Sequence, residues 1–284
     1  MNIVKRTDLE FRIIGAGPSG AMLALSLANI GITTTLFDEK SYDEIISKSR
    51  AYAITHSTRS LLEELKLWDK IRNRFNPFSI LKLQDQVIKQ HTKFTINDLS
   101  KDDKAFSSIG WIVNHKDLMA FLFENIANSS LITLNLNSKD NKNFSHEDFL
   151  VAADGPLSDT RKKYGLKPFY FSYRQACLSA KILMRTPSNS IAFEHFRKEG
   201  PFALLPLAND VYQLVWTASA SKCIQRASHP DSLFLDILAP LLPSELEPDV
   251  LIEKPSVFPI KLSVCLPMHR GKLLLVGESA HSLH

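Results

Sequence analysis

The first forty residues alternate between short apolar runs and polar breaks in a regular order. Phe11 to Ile14 is a mostly apolar run and Thr33 to Phe37 is rich in β-branched residues, so both predict strands. Between them, the Ala- and Leu-rich stretch from Ala21 to Ile30 has the length of a helix and is followed by Gly31, a common helix terminator. The pattern predicts a strand–helix–strand unit at the start of the chain.

The hydrophobic pattern changes after Lys167. From Arg174 to Arg185 apolar and polar residues alternate with the period of a half-buried strand. Further strand-like runs follow at 191–196, 203–207 and 211–218, and an amphipathic helix at 231–242. Strands in series after a strand–helix–strand start predict a mainly antiparallel sheet beside an α/β domain. We therefore expect an α/β domain at 1–166, completed by 262–284, and an inserted sheet domain at 167–261.

Three other apolar runs, at 131–136, 149–153 and 273–276, predict strands, and the Leu-rich stretch 57–68 predicts a helix. We expect the last of these strands, Leu273 to Val276, to lie at the centre of a sheet.

Composition limits the class of protein. The 284 residues, 44% of them apolar, are enough for one large or two ordinary domains. The net charge of +4 comes from scattered residues without the basic stripe that nucleic acid requires, so we expect no nucleic-acid partner. Cys177, Cys223 and Cys265 lack metal-type spacing, which favours free thiols and a cytoplasmic protein. The sequence has neither a signal-peptide pattern nor an apolar run of membrane-spanning length.

The first strand runs directly into Gly15-Ala16-Gly17-Pro18-Ser19-Gly20, which has the spacing G-x-G-x-x-G. In this arrangement Gly15 permits a tight turn, Gly17 lets the backbone approach a pyrophosphate, and Gly20 lets the helix pack on the strand. The helix N-terminus offers N–H groups to the phosphates, and Asp38, at the end of the second strand, is placed to accept a hydrogen bond from a ribose hydroxyl. The unit predicts a dinucleotide site for NAD or FAD.

Three later blocks choose between these cofactors. Ser49 to Ile54 contains Arg50, Val151 to Arg161 contains Asp154-Gly155, and Val276 to His281 contains Gly277-Glu278. In this order the blocks resemble the flavin-dependent aromatic hydroxylases related to para-hydroxybenzoate hydroxylase. The stretches Gly110 to Asn114 and Gly200 to Leu207 are similar to the ubiquinone-biosynthesis branch of that family.

The resemblance implies a glutathione-reductase-type, Rossmann-like FAD-binding domain whose inserted sheet covers the flavin ring. It implies FAD bound by Gly15, Gly17, Gly20, Asp38, Arg50, Asn114, Asp154, Gly155, Gly277 and Glu278. It also implies NAD(P)H as a transient reductant, dioxygen as the source of oxygen, and a polyprenylated phenol as substrate. Such a lipid-soluble substrate implies peripheral contact at the inner face of a membrane. We name no catalytic side chain, because the cofactor performs the oxygen chemistry in this family.

The sequence departs from the family pattern in three respects, one of which is a shorter stretch between Asp117 and Asp154, where the family usually has an extra strand pair. Glu278 stands where the family usually has Asp, which keeps the charge on an arm one methylene longer. The sequence ends at His284, before the family's His-Pro and Gly-Gln-Gly-Asn segments, so we expect a truncated chain whose partner is a C-terminal fragment or another ubiquinone-biosynthesis protein. Glu278, His281 and His284 mimic a metal cluster, but their spacing does not share one helix face and we expect no metal. Two alternatives stay open: a non-catalytic remnant that acts as a binding or assembly partner, and a related flavoprotein reductase.

Overall fold

The computed structural model describes residues 10–138 and 149–283. Contacts divide the chain into two compact units. Unit 1 is drawn from Met1–Lys48, Lys116–Tyr173 and Lys261–His284, and unit 2 from Ser49–His115 and Arg174–Ile260.

The strands of the described residues are, in chain order, β1 (Glu10–Ile14), β2 (Thr33–Phe37), β3 (Ala51–Ile54), β4 (Asn76–Phe78), β5 (Ile80–Asp85), β6 (Gln90–Thr95), β7 (Gly110–Asn114), β8 (Ile132–Asn135), β9 (Phe149–Ala152), β10 (Phe169–Arg185), β11 (Ile191–Phe196), β12 (Phe202–Pro206), β13 (Val211–Ser219), β14 (Glu247–Val264), β15 (His269–Arg270), β16 (Leu273–Leu275) and β17 (His281–Ser282).

The α-helices of the same residues are α1 (Pro18–Asn29), α2 (Tyr42–Ile46), α3 (His56–Glu64), α4 (Trp68–Ile71), α5 (Lys101–Lys104), α6 (His115–Ala127), α7 (Asp159–Lys163), α8 (Ala220–Ala227) and α9 (Asp231–Leu238). None of the described helices is long and apolar enough to cross a membrane.

Unit 1 is built on a six-stranded sheet with the order β15-β16-β9-β1-β2-β8. All of its neighbouring strands pair in parallel except the short β15, which is antiparallel to β16. Residues of β9 and β16, among them Leu150, Leu273 and Leu275, form one buried cluster together with Cys265 and Ala280. The parallel order brings the carboxyl ends of β16, β9, β1 and β2 to one edge of the sheet.

Unit 2 contains most of an eight-stranded sheet with the order β17-β14-β10-β13-β12-β11-β5-β6. Its strands from β10 to β11 pair antiparallel, and β5 pairs in parallel with β11. Alternate residues of these strands, including Leu178, Leu214 and Trp216, form a core with Phe234 and Leu238 of α9. A separate three-stranded sheet has the order β3-β7-β4. The predicted fold class, an α/β part with a mainly antiparallel sheet, is confirmed.

The contact-based units divide the chain differently from the sequence-based domains. We placed residues 49–115 in the first domain, whereas they lie in unit 2. The reason is strand pairing, because Ile80–Asp85 pairs along its whole length with Ile191–Phe196. The assignment of cofactor and substrate binding to the two domains stays a prediction.

Several predicted elements need correction. The predicted helix 57–68 is two helices, α3 and α4, because Lys66 between them has a left-handed φ of 57°. Helix α1 begins at Pro18, three residues before its predicted start, since proline suits the first turn of a helix. Strand β16 lies next to the edge of its sheet, with β15 outside it, and not at the centre.

Candidate cofactor site

Eight of the ten predicted cofactor-binding residues follow the carboxyl ends of four neighbouring parallel strands. Gly15, Gly17 and Gly20 follow β1, and Asp38 follows β2. The pairs Asp154-Gly155 and Gly277-Glu278 follow β9 and β16. Ligands of open α/β sheets bind outside this edge, so one edge of unit 1 collects these residues into a single candidate site.

The first glycine turn is held tightly between two strands. Gly15 has a φ of 105°, and a Cβ atom there would lie 2.3 Å from the carbonyl oxygen of Ala153. A Cβ atom on Gly20 would lie 1.9 Å from the carbonyl oxygen of Gly15. Both positions therefore require glycine for reasons internal to the protein.

Gly17 differs from these two glycines. It has an ordinary φ of −68°, and a Cβ atom there would meet no described atom within 4 Å. Protein packing and backbone strain therefore leave this position open to a side chain. A glycine that exposes its backbone to open space, at the N-cap of α1, is what the close approach of a phosphate requires.

The N-terminus of α1 is the positive end of a twelve-residue helix. Its N-cap is Gly17, which has no side-chain oxygen to accept the first-turn N–H groups. Pro18 at the first helical position gives up no hydrogen bond, because its nitrogen carries no hydrogen. The helix end therefore leaves first-turn N–H groups without a side-chain acceptor at the strand edge, as the predicted phosphate site requires.

Asp38 joins the second strand to the glycine turn. Its Oδ2 accepts a hydrogen bond from the backbone N–H of Ala16 at 2.8 Å, and its Oδ1 accepts one from Lys40 at 2.9 Å. Each carboxylate oxygen can accept more than one hydrogen bond. Asp38 thus shapes the turn, and its contact with a ribose hydroxyl stays a prediction.

Asp154 lies in the loop between β9 and α7. Its Oδ2 accepts a hydrogen bond from the backbone N–H of Thr160 at 3.1 Å. Its Oδ1 is buried and, among the described residues, has no hydrogen-bond partner. A buried carboxylate oxygen without a donor is costly, so this atom requires a donor from a ligand or a water molecule.

The fourth strand end carries the turn from Gly277 to Ser279. Gly277 has a left-handed φ of 64°, and a Cβ atom there would lie 2.6 Å from Oγ of Ser19 in α1. Glu278 is exposed at the surface of this turn. Ser19, Gly277, Glu278 and His281 line an open groove of about 290 Å³, with Ser282 and Leu283. Its place beside the start of α1 is the place expected for a pyrophosphate and its adjoining chain.

Two residues that we did not assign to the site hold this turn in place. Arg161 is fully buried and donates from Nη1 to the carbonyl oxygen of Ser279 at 2.6 Å and from Nη2 to that of Pro156 at 2.9 Å. The Ser279 hydroxyl accepts from the N–H of Val276 at 3.1 Å and donates to the carbonyl oxygen of Ala152. Arg161 therefore connects the Asp-Gly segment to the Gly-Glu-Ser turn.

Ser19 and Arg161 were present in the quoted motifs, but nothing in the sequence separated them from their neighbours. Ser19 occupies one of the variable positions of G-x-G-x-x-G, and Arg161 is an arginine at the end of a loop motif. Only the folded chain shows that one lines the groove and the other is buried.

The remaining two predicted residues lie in unit 2. Arg50 is exposed before β3, its guanidinium lies 5.8 Å from the ring centre of Phe258, and its carbonyl oxygen accepts from the N–H of His115. Asn114 ends β7, and its side-chain oxygen is buried without a hydrogen-bond partner among the described residues. Their contact with the cofactor stays a prediction.

No group of three His, Cys, Asp or Glu side chains in the described ranges is arranged to hold a metal ion. His281 lies beside the groove, and His284 is outside the described residues. His195 of β11 is buried and stacks on Phe202, and its burial lowers its pKa.

The residues of unit 1 thus fit a dinucleotide such as FAD. An open backbone at Gly17, an uncapped helix end and an unpartnered Asp154 oxygen all lie at one strand edge, and together they define a dinucleotide-binding flavoprotein or dehydrogenase.

Comparison with known proteins distinguishes the flavoprotein from the dehydrogenase. A family model described as FAD binding domain matches residues 8–105 and 128–284, and the chain belongs to this family. The predicted FAD cofactor is thereby confirmed.

Relatives agree with this assignment. The chain is 26% identical to the uncharacterized protein slr1300 of Synechocystis, over 98% of this chain and 71% of that protein. It is 24% identical to 3-demethoxyubiquinol 3-hydroxylase of Escherichia coli, over 97% of this chain and 74% of the enzyme. The structure of p-nitrophenol 4-monooxygenase PnpA from Pseudomonas putida superposes with a TM-score of 0.77 at 16% identity, over 97% of this chain and 74% of that one. The predicted resemblance to flavin-dependent aromatic hydroxylases is confirmed.

Proposed function

We propose that the chain is a FAD-dependent monooxygenase that hydroxylates the aromatic ring of a polyprenylated phenol in ubiquinone biosynthesis. NAD(P)H is the proposed transient reductant, and dioxygen supplies the oxygen atom. The observation that carries the cofactor half of this proposal is the convergence of four strand ends on the N-terminus of α1.

When bound, FAD supplies the redox and oxygen chemistry, so the protein needs no nucleophile or metal of its own. The first-turn N–H groups of α1 bind the pyrophosphate, and Gly17 keeps the approach to them open. Asp154 holds its free oxygen toward a donor, and Arg161 fixes the Gly277–Ser279 turn that carries Glu278. Charged and hydrogen-bonding groups on rigid strand ends keep the cofactor in one orientation.

The substrate half of the proposal rests on the relatives and on unit 2. One of the relatives is 3-demethoxyubiquinol 3-hydroxylase, and another is named as a ubiquinone biosynthesis monooxygenase. The antiparallel sheet of unit 2 is the proposed platform for the ring, as expected from the family resemblance. A polyprenyl chain is apolar, so its release from a membrane and its binding to protein both require apolar contact.

A three-part measurement tests the proposal. The purified chain is titrated with FAD and followed by flavin fluorescence. The complex is then given NADH or NADPH together with a short-chain prenyl phenol and isotopically labelled dioxygen. Mass spectrometry of the phenol measures the label.

The expected result is saturable FAD binding and one labelled oxygen on the ring. Absence of FAD binding would favour the non-catalytic remnant. FAD binding and NAD(P)H oxidation that leave every tested phenol unlabelled would favour the reductase.

A further inference from the structure

The hairpin at one edge of the unit 2 sheet ends in an unusual turn. Its four turn residues, between β5 and β6, are Gln86-Val87-Ile88-Lys89. Val87 and Ile88 are 54% and 61% exposed. Turns usually carry Gly, Asn, Asp, Ser or Pro, so two adjacent β-branched aliphatic residues at a turn require an explanation.

Local hydrogen bonds hold this turn in a fixed shape. Oδ1 of Asp85 accepts from the N–H groups of Val87 and Ile88 at 2.8 and 3.1 Å. The N–H of Gln86 donates to the carbonyl oxygen of Phe196 at 2.9 Å. The two aliphatic side chains are therefore presented to solvent by an ordered backbone beside the end of β11.

The apolar tip is flanked by cations. A groove of about 290 Å³ is lined by Gln86 and Val87 on one side and by Arg197, Lys198 and Glu199 on the other. Glu199 is paired with Arg226 at 2.9 Å, with Lys222 at 2.8 Å and with Arg197 at 3.6 Å, and these ion pairs offset its charge. Lys198 on the groove and Lys89 in the turn are both exposed, so two lysines accompany the aliphatic tip.

We propose that the surface formed by Val87, Ile88, Lys89 and Lys198, here called the tip surface, docks on an anionic lipid bilayer. The two aliphatic side chains enter the acyl boundary, and the two exposed lysines lie against headgroup phosphates. The inference rests on the proposed function, because a polyprenylated phenol is reached at a membrane surface.

The neighbouring strand argues against a second copy of the chain as the occupant. Strand β6 is the sheet edge and is exposed along almost its whole length. Its exposed residues include His91 and Lys93, and Lys89 precedes it. Lysines on an edge strand oppose pairing with another strand, whereas they favour an anionic surface.

Vesicle co-flotation of the full chain tests the inference. The vesicles are phosphatidylcholine alone and an equimolar mixture with phosphatidylglycerol. We expect binding to the anionic vesicles only. Val87→Ser with Ile88→Ser should weaken partitioning roughly tenfold or more. Lys89→Gln with Lys198→Gln should weaken it roughly thirtyfold.

Matched control variants distinguish binding through the tip surface from nonspecific binding of exposed apolar or basic residues. Ile224→Ser with Leu233→Ser removes apolar side chains of similar exposure elsewhere in unit 2, and Lys70→Gln with Lys254→Gln removes two exposed cations. Both control pairs should bind like the unaltered chain. Light scattering and thermal unfolding are measured for every variant.

Other outcomes would overturn the inference. These are equal binding to neutral vesicles, no binding at all, or loss of binding only after Phe169→Ser with Phe171→Ser, which removes another group of exposed apolar side chains. A dimer that the tip variants convert to a monomer would assign the surface to a second copy. Protection by inorganic phosphate without vesicle binding would assign the groove to free phosphate. FAD content, measured on the same samples, reports separately on the proposed function.

Discussion

At the scale of single residues, Gly17 and Gly20 belong to one turn but are glycines for different reasons. Gly20 has no room for a Cβ atom, since the carbonyl oxygen of Gly15 would lie 1.9 Å away. Gly17 has room and an ordinary backbone conformation. Packing and backbone conformation therefore impose no requirement for glycine at Gly17, and a binding measurement tests the prediction that a ligand does.

We expect Gly17→Ala to weaken FAD binding tenfold or more, because the added methyl group blocks the backbone approach to the pyrophosphate. The change should cost at most about 1 kcal/mol of unfolding free energy, the usual cost of alanine at an N-cap. FAD titration and denaturant unfolding of the FAD-free chain measure the two quantities.

Two variants serve as comparisons for that experiment. Gly20→Ala should lower the unfolding free energy of the FAD-free chain well beyond the loss in Gly17→Ala. Glu278→Asp should weaken FAD binding less than Gly17→Ala, because it keeps the carboxylate that the family uses. Equal FAD affinity in Gly17→Ala and the unaltered chain would show that this turn does not contact phosphate.

A second residue-scale prediction concerns Glu199 and acid. Burial raises the pKa of this carboxyl, but hydrogen bonds from Arg226 and Lys222 outweigh burial and lower the pKa from 4.5 to about 2. A depressed carboxyl pKa stabilises the fold above the unfolded-state value, and that stabilisation is lost as pH falls from 4.5 toward 2.

Between about pH 5 and about pH 3 the unaltered chain should therefore lose roughly 2 kcal/mol more unfolding free energy than Glu199→Gln. Urea unfolding at the two pH values measures the difference. The Gln variant should already be less stable at neutral pH. Parallel pH profiles for the two proteins would contradict the assigned ion pairs.

At the scale of elements, Arg161 is the connection between α7 and the Gly277–Ser279 turn. Its guanidinium is buried, and its two Nη atoms donate to neutral oxygens, namely the carbonyls of Ser279 and Pro156 and the hydroxyl of Tyr170. Hydrogen bonds from charged donors are stronger than neutral ones, and their carbonyl partners would be left buried if the side chain were removed.

Arg161→Met should lower the unfolding free energy by about 2–4 kcal/mol and weaken FAD binding, because the Gly277–Ser279 turn loses its anchor. Arg161→Lys should have an intermediate unfolding free energy, since lysine keeps the positive charge but lacks the two Nη atoms that donate to separate oxygens. Arg185→Met is the matched control. Its exposed ion pair with Asp249 should contribute less than about 1 kcal/mol. Similar losses in the two Met variants would refute the anchor.

The elements that the sequence predicted best are those with strong local signals. Strand β2 has its predicted bounds, and Gly31 after α1 has the left-handed φ of 81° that helix termination favours. Strand β14 was missed because Pro248, Pro255 and Pro259 interrupt it, and proline normally argues against a strand. Strand β14 pairs with β17 at Ser263 and Val264, beyond the last of these prolines.

In the candidate cofactor site too, local sequence signals predicted some residues, whereas contacts between distant segments could not be predicted. The four motif blocks could be read from glycines and acidic residues that follow apolar strands. The buried role of Arg161 could not, because it depends on which carbonyl oxygens the folded loops bring together. Likewise no glycine or proline marks Lys66, where the predicted helix 57–68 breaks.

At the scale of the whole molecule, the two compact units contain different parts of the predicted cofactor site. The strand-edge residues belong to unit 1, whereas Arg50 and Asn114 belong to unit 2. Amide hydrogen exchange separates these parts, because a ligand slows exchange where it contacts or rigidifies the backbone.

Saturating FAD should slow exchange in the segments after the four strands of unit 1, at 15–21, 38–40, 154–161 and 276–283. The core strand segment 176–184 of unit 2 is the internal control and should be unchanged. Peptides covering 49–54 and 110–115 decide the roles of Arg50 and Asn114. Protection there would extend the cofactor site to unit 2, while unchanged exchange would remove both residues from it. Protection confined to unit 2 would refute the strand-edge site itself, because its N–H donors and its open Gly17 backbone all lie in unit 1.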